Sequence, residues 1–105
     1  MLDDLADQLH ETAIAKGFWP EYTDDIFIAK QCMMIVSEVT ELIEAIRKNK
    51  GEEEIAMETA DILIRTLDLY AGLVDAGHTT ISLDYALQEK ANINKDRPHK
   101  HGVRF

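Results

Sequence analysis

Apolar residues recur along this chain at intervals of three and four, the period of one helix face, in four separate blocks. The first block, residues 2–16, marks its face with Leu2, Leu5, Leu9 and Ile14, and sets Asp3, Asp4 and Asp7 near the positive end of the helix dipole. Gly17 and Pro20 then stop the helix, and the loop GFWPEYTDD carries three aromatics, Phe18, Trp19 and Tyr22. Trp19 has two readings: a hydrophobic clip that pins the loop to the bundle, or a stacking platform for a planar ligand such as a nucleobase. The second block starts with Thr23 or Asp24 as N-cap and runs to about Lys48. Within it Ile28, Cys32, Ile35, Val39, Leu42 and Ile46 alternate at four and three, which predicts a continuous packing seam with Cys32 in the core.

The third block, about 52–76, stops before Gly77 and keeps its polar residues in one narrow stripe of Glu54, Glu58, Asp61, Arg65 and Asp68. A helix apolar over so much of its circumference is buried on several sides, which four short helices in one protomer do not achieve. In the fourth block Ser82 or Thr80 caps a helix to about Asn94, with Leu83, Ala86, Leu87 and Ala91 on its apolar side. The pattern therefore predicts an all-α fold, a single domain over residues 1–105 that ends in a basic tail at 97–105. It predicts a four-helix bundle-like protomer, packed into a dimer or dimer of dimers through the second and third helices.

Charge changes the picture. The net charge is −9, but residues 1–89 hold 6 Lys and Arg against 19 Asp and Glu, whereas residues 90–105 hold 5 against 1. An acidic body argues against duplex nucleic acid as the main partner, since phosphate backbones need basic surfaces. A basic tail on that body suits a small phosphorylated ligand. No apolar run approaches a membrane span, the N-terminus has no signal pattern, and the lone Cys32 fits a cytoplasmic location.

The candidate chemistry lies in SEVTELIEAIRKNKGEEEIAMETAD, residues 37–61, which holds Glu38-x-x-Glu41 and Glu58-x-x-Asp61. Residues three apart on a helix are surface neighbours, so each pair presents two carboxylates on one face. If the helices fold back through the break at Asn49–Gly51, both pairs converge on one point. Unit charges ~4 Å apart repel by about 4 kcal/mol at an effective dielectric of ~20, so such a cluster calls for a cation. Oxygen-only ligands suit Mg²⁺, with Mn²⁺ as a substitute. The opposing reading is a solvated face stitched by Asp61 and Arg65 at i,i+4.

Other site chemistries fit less well. Di-iron bundles use Glu-x-x-His, and none of His10, His78, His99 and His101 follows a Glu in that way; zinc lacks a helical His pair or a second Cys. A nucleophilic Ser or Cys has no adjoining base. Lys90, Asn94 and Arg97, at i, i+4 and i+7, share one face if the fourth helix persists, and offer donors to phosphate or sugar oxygens; a frayed tail is the plainer alternative. What remains is a metal–phosphate site.

Taken together, Glu38, Glu41, Glu58 and Asp61 in the setting SEVTELIEAIR … ADILIRTLDLY resemble the all-α nucleotide pyrophosphohydrolases of the MazG-like family. The ending Lys90, Asn94, Arg97, His101 and Gly102 is similar to that of its small members. The resemblance implies hydrolysis of (deoxy)nucleoside triphosphates to monophosphate and pyrophosphate, in a homodimer or homotetramer with the site at a subunit boundary. It implies that Glu38, Glu41, Glu58 and Asp61 hold Mg²⁺, that Glu38 or Glu41 activates the attacking water, and that Lys90, Asn94 and Arg97 bind phosphate or sugar. It sets Trp19 where some related enzymes stack a base, and the role implied is nucleotide-pool housecleaning. Two alternatives stand beside it: a non-catalytic acidic helical oligomer that binds a protein or nucleotide, and a pyrophosphohydrolase for a phosphoribosyl-nucleotide.

Overall fold

Two helices of nearly equal length form the frame, and a tight turn between them sets the geometry of everything else. In the computed structural model, which describes residues 1–104 apart from the side chains of Lys100 and His101, four helices follow in order. They are α1 (Leu2–Ala15), α2 (Asp25–Arg47), α3 (Glu52–Asp75) and α4 (Leu83–Lys95), followed by a short 3₁₀ turn at His99–Gly102. His101, part of the C-terminal signature read from the sequence, thus has its side chain outside the described residues.

Helix starts follow side-chain chemistry. Asp24 caps α2 by accepting the Phe27 N–H at 2.8 Å, and Ser82 caps α4 by accepting the Tyr85 N–H at 3.2 Å. Between α2 and α3 the chain reverses through Asn49, with φ of 51°, and Gly51, with φ of 99°. Both conformations are left-handed; Asn tolerates that region and Gly enters it freely. The α2–α3 hairpin is thereby closed at one end, and Ala45, fully buried, lets the helices approach there.

α1 lies against the opposite side of α3. Ala6, Leu67 and Ala71 form a small core, with Leu2, Leu9 and Leu83 packed around it. α4 touches the rest chiefly through α1, and none of its residues is buried. Its N-terminus is joined to that of α1 by reciprocal caps. Asp3 accepts from the Ser82 hydroxyl and the Leu83 N–H, while Asp84 accepts from the N–H groups of Leu2 and Asp3.

The chain is loosely filled. Its accessible surface is 8096 Å², against roughly 5,950 Å² expected of a compact chain of this mass. Its radius of gyration is 16.1 Å, against about 13 Å for a compact domain of this length. The seam expected along α2 is correspondingly only half realised: Ile28, Ile35 and Leu42 are partly buried against α3, but Cys32, Val39 and Ile46 are exposed. Cys32 is therefore not a core residue of the chain, because among the described residues α2 packs chiefly on α3, which covers one side of it. A second stripe, Ile26, Met33, Val36 and Ile43, runs along α2 at steps of seven, three and seven and is exposed throughout.

Candidate metal centre

The α2–α3 hairpin brings its two acidic pairs to the same level. Carboxylate oxygens of Glu38 on α2 and of Glu58 and Asp61 on α3 lie within 4.8 Å of one another. The convergence expected from the spacing is thus met by three of the four acids. Glu41, one turn beyond Glu38, is exposed and stands outside that group, although its charge still reaches Glu58.

The electrostatics register the crowding. Glu58 is held above the usual carboxylate range, first by desolvation, then by a hydrogen bond with Glu54 and the charges of Asp61, Glu54 and Glu41. Three converging all-oxygen donors with a shared excess of negative charge are the donor set that a hard divalent cation takes. The residues present fit such an ion.

One basic side chain already answers part of this charge. Arg65, one turn after Asp61 on α3, donates its Nε–H to Glu38 Oε1 at 2.8 Å. The i,i+4 stitch to Asp61 considered from the sequence is replaced by this bond across the hairpin, and no such pair to Asp61 occurs among the described residues. Sequence spacing points along one helix, so it could not signal a partner 27 residues away.

Beside the acids opens a cleft of about 530 Å³, walled by α1, α2 and α3. Glu38, Asp61, Arg65 and Asp68 form its polar side, and Phe27 and Met34 form part of its apolar side. Lys16 and Lys30 also line it. These two lysines were missed in the sequence, where each is an isolated charge; only the fold sets them beside the carboxylates.

Trp19 lies behind Asp68, outside the lining of this cleft. Its indole rests on Gly72, where any Cβ would overlap the six-membered ring. The indole N–H donates to both carboxylate oxygens of Asp68, at 2.9 and 3.2 Å, and the ring meets His10 and Phe27 edge-on at 4.6 and 5.2 Å. These are the contacts of a clip that pins the loop to α3. His10 completes the tie: Nδ1 lies 2.8 Å from Asp68 Oδ1, and Nε2 lies 3.1 Å from Asp75 Oδ2. Asp68 thus faces the cleft on one side and two ring nitrogens on the other.

Lys90, Asn94 and Arg97 are all exposed, and none lines this cleft. Lys90 and Asn94 lie on α4, but the helix ends at Lys95, so Arg97 sits in the following turn, its N–H bonded to the Asn94 carbonyl at 3.3 Å. The single helical face expected for the three residues holds for the first two.

No curated protein and no solved structure matches the chain. The family model of the MazG nucleotide pyrophosphohydrolase domain matches residues 29–101, which include both acidic pairs, Arg65 and α4. That span is well over half of the sequence and leaves out only α1, the Trp19 loop, the first turn of α2 and the last residues. The chain belongs to the MazG nucleotide pyrophosphohydrolase family.

Proposed function

We propose that the protein hydrolyses (deoxy)nucleoside triphosphates to monophosphate and pyrophosphate with Mg²⁺ held by Glu38, Glu41, Glu58 and Asp61. The observation that carries this reading is the approach of Glu38, Glu58 and Asp61 to within 4.8 Å at the edge of a cleft large enough for a nucleotide. Mg²⁺ supplies charge neutralisation at the phosphates and Lewis acidity. The chain's own groups do the rest. Glu38 or Glu41 accepts a proton from water as its oxygen bonds to the α-phosphorus, the α–β bridging bond breaks, and its electron pair leaves with pyrophosphate. Lys16 and Lys30 offer positive charge to the phosphates from the cleft wall. Phe27 and Met34 give the base an apolar surface, while Trp19 shapes that end of the cleft by fixing Asp68.

Lys90, Asn94 and Arg97 take their part in this reading from a second copy, at a homodimer or homotetramer boundary. An excess of roughly 2,100 Å² over the surface of a compact chain is the scale of a stable homodimer interface. The stripe Ile26, Met33, Val36 and Ile43 has the a/d spacing of a helix that packs on another helix. No helix among the described residues is long and apolar enough to cross a membrane. The role we assign is cytoplasmic housecleaning of the nucleotide pool.

The test is release of pyrophosphate from a panel of NTPs and dNTPs, with Mg²⁺ and with EDTA. Metal-dependent release with monophosphate as co-product is expected. Release from a phosphoribosyl-nucleotide alone would move the substrate, and no release from any nucleotide would leave a binding oligomer.

A further inference from the structure

The acidic group has a single basic partner among the described residues, and it sits on Glu38. Glu38 is 17% exposed at its side chain and Arg65 38%, with Nε 2.8 Å from Oε1. The bond uses one of the five guanidinium N–H donors, and the described residues take none of the others. Arg65 also lines the cleft together with Glu38 and Asp61, so a phosphate there comes within reach of the same guanidinium.

A cation bonded to one carboxylate of a metal site acts on it in two ways. It occupies lone pairs that an incoming ion needs, and its charge repels that ion. A polyphosphate arriving in the cleft reverses both effects, because it offers the guanidinium a stronger anion and a bidentate geometry. Lys cannot reproduce that fork, but it keeps the charge.

Building on the metal-site reading above, we infer that Arg65 is the site's resident counter-cation: it competes with the divalent ion for Glu38 until substrate phosphate draws it away. Metal and nucleotide then bind with positive coupling, each favouring the other to the same extent. Arg65 changes partner within the site, from a ligand of the metal to an oxygen of the substrate.

The experiment measures Mn²⁺ binding by electron paramagnetic resonance, without nucleotide, in wild type, R65Q, R65M, R65K and E58Q. Melting curves establish that each variant is folded. R65Q and R65M are expected to bind Mn²⁺ about tenfold more tightly than wild type, and R65K to stay near it. In turnover assays R65Q raises the KM for the triphosphate, and R65K recovers part of that loss. Mn²⁺ binding in R65Q and R65M no tighter than in wild type overturns the inference, as does an unchanged KM. The E58Q arm separates the two levels. If R65Q and R65M bind Mn²⁺ no tighter than wild type while E58Q loses that binding, the counter-cation alone is sunk; if wild type, R65Q and R65M all bind none, the metal site falls with it.

Discussion

Asp3 and Asp84 cap each other's helices. Asp3, in the first turn of α1, accepts the N–H groups that open α4, and Asp84, in the first turn of α4, accepts those that open α1. Two positive dipole ends are thus brought face to face, and each is neutralised by the carboxylate of the other. Asp84 is held well below the usual carboxylate range, first by the terminal ammonium of Met1 and then by the N–H groups of Leu2 and Asp3. Because α4 buries no residue, this junction is what orients the helix that bears Lys90 and Asn94.

Replacing Asp3 by Ala removes the acceptor for the start of α4 and is expected to cost about 1–2 kcal/mol. Thermal melting followed by circular dichroism reads this as a fall in Tm. Asp84→Asn also lowers Tm at neutral pH. The sign of its pH dependence follows from the depressed folded value: the stabilisation is present above the unfolded pKa near 3.8 and is lost only as pH falls through the lower folded one. The gap between wild type and Asp84→Asn therefore persists at pH 4 and closes only in stronger acid. An equal Tm at pH 7 would show the cap to be idle.

Gly72 is needed because Trp19 lies on it. A Cβ there overlaps the indole ring, so Gly72→Ala must push the ring outward and strain its bond to Asp68. Overpacking of this kind costs about 1–3 kcal/mol. The expected readouts are a lower Tm and a red-shifted Trp19 emission, which is clean because the chain has one tryptophan. Trp19→Phe tests the other half of the contact: it keeps a ring on Gly72 but deprives Asp68 of a donor.

The exposed stripe on α2 predicts its own test. Val36 stands at its centre with Ile26, Met33 and Ile43 on the same line, so Val36→Glu puts a charge into any helix–helix interface there. Light scattering coupled to size exclusion is expected to give an oligomer for wild type, and a mass near the 11.9 kDa protomer for the variant. A wild-type protein that runs as a monomer would refute the interface.

The helices and their ends were legible in the sequence because they depend on local chemistry. Asp24 and Ser82 cap where a side-chain oxygen precedes an apolar period, and Gly77 follows the end of α3. The meeting of Glu38 with Glu58 and Asp61 was legible too, since one short turn and two helical periods determine it. What the sequence hid depends on packing between distant segments. The Arg65 bond to Glu38 follows from how the two arms of the hairpin face each other, whereas the tie of His10 and Trp19 to Asp68 and the meeting of Lys16 with Lys30 in the cleft follow from how α1 and its loop lie against that hairpin. Cys32 was misplaced for a related reason. Period identifies an apolar face, but not whether the same protomer covers it.

Glu58 separates the cost of the acidic group from its use. With its folded pKa raised above 4.5, the folded chain binds more protons than the unfolded one just above that pH, so stability falls as pH rises through the folded value. Glu58→Gln removes the ionisable group and with it this loss. In EDTA at pH 7 the variant is expected to melt above wild type, and the difference should shrink as pH falls below 4.5. Adding Mg²⁺ is expected to reverse the order, because a ligand stabilises only the state that binds it, and the variant lacks one of the carboxylates proposed to hold the ion. A crossing of the two melting temperatures between EDTA and Mg²⁺ is the expected signature of carboxylates kept together for a cation. If wild type and variant instead respond alike to Mg²⁺, the three acids are a solvated patch, and their approach is a by-product of the hairpin.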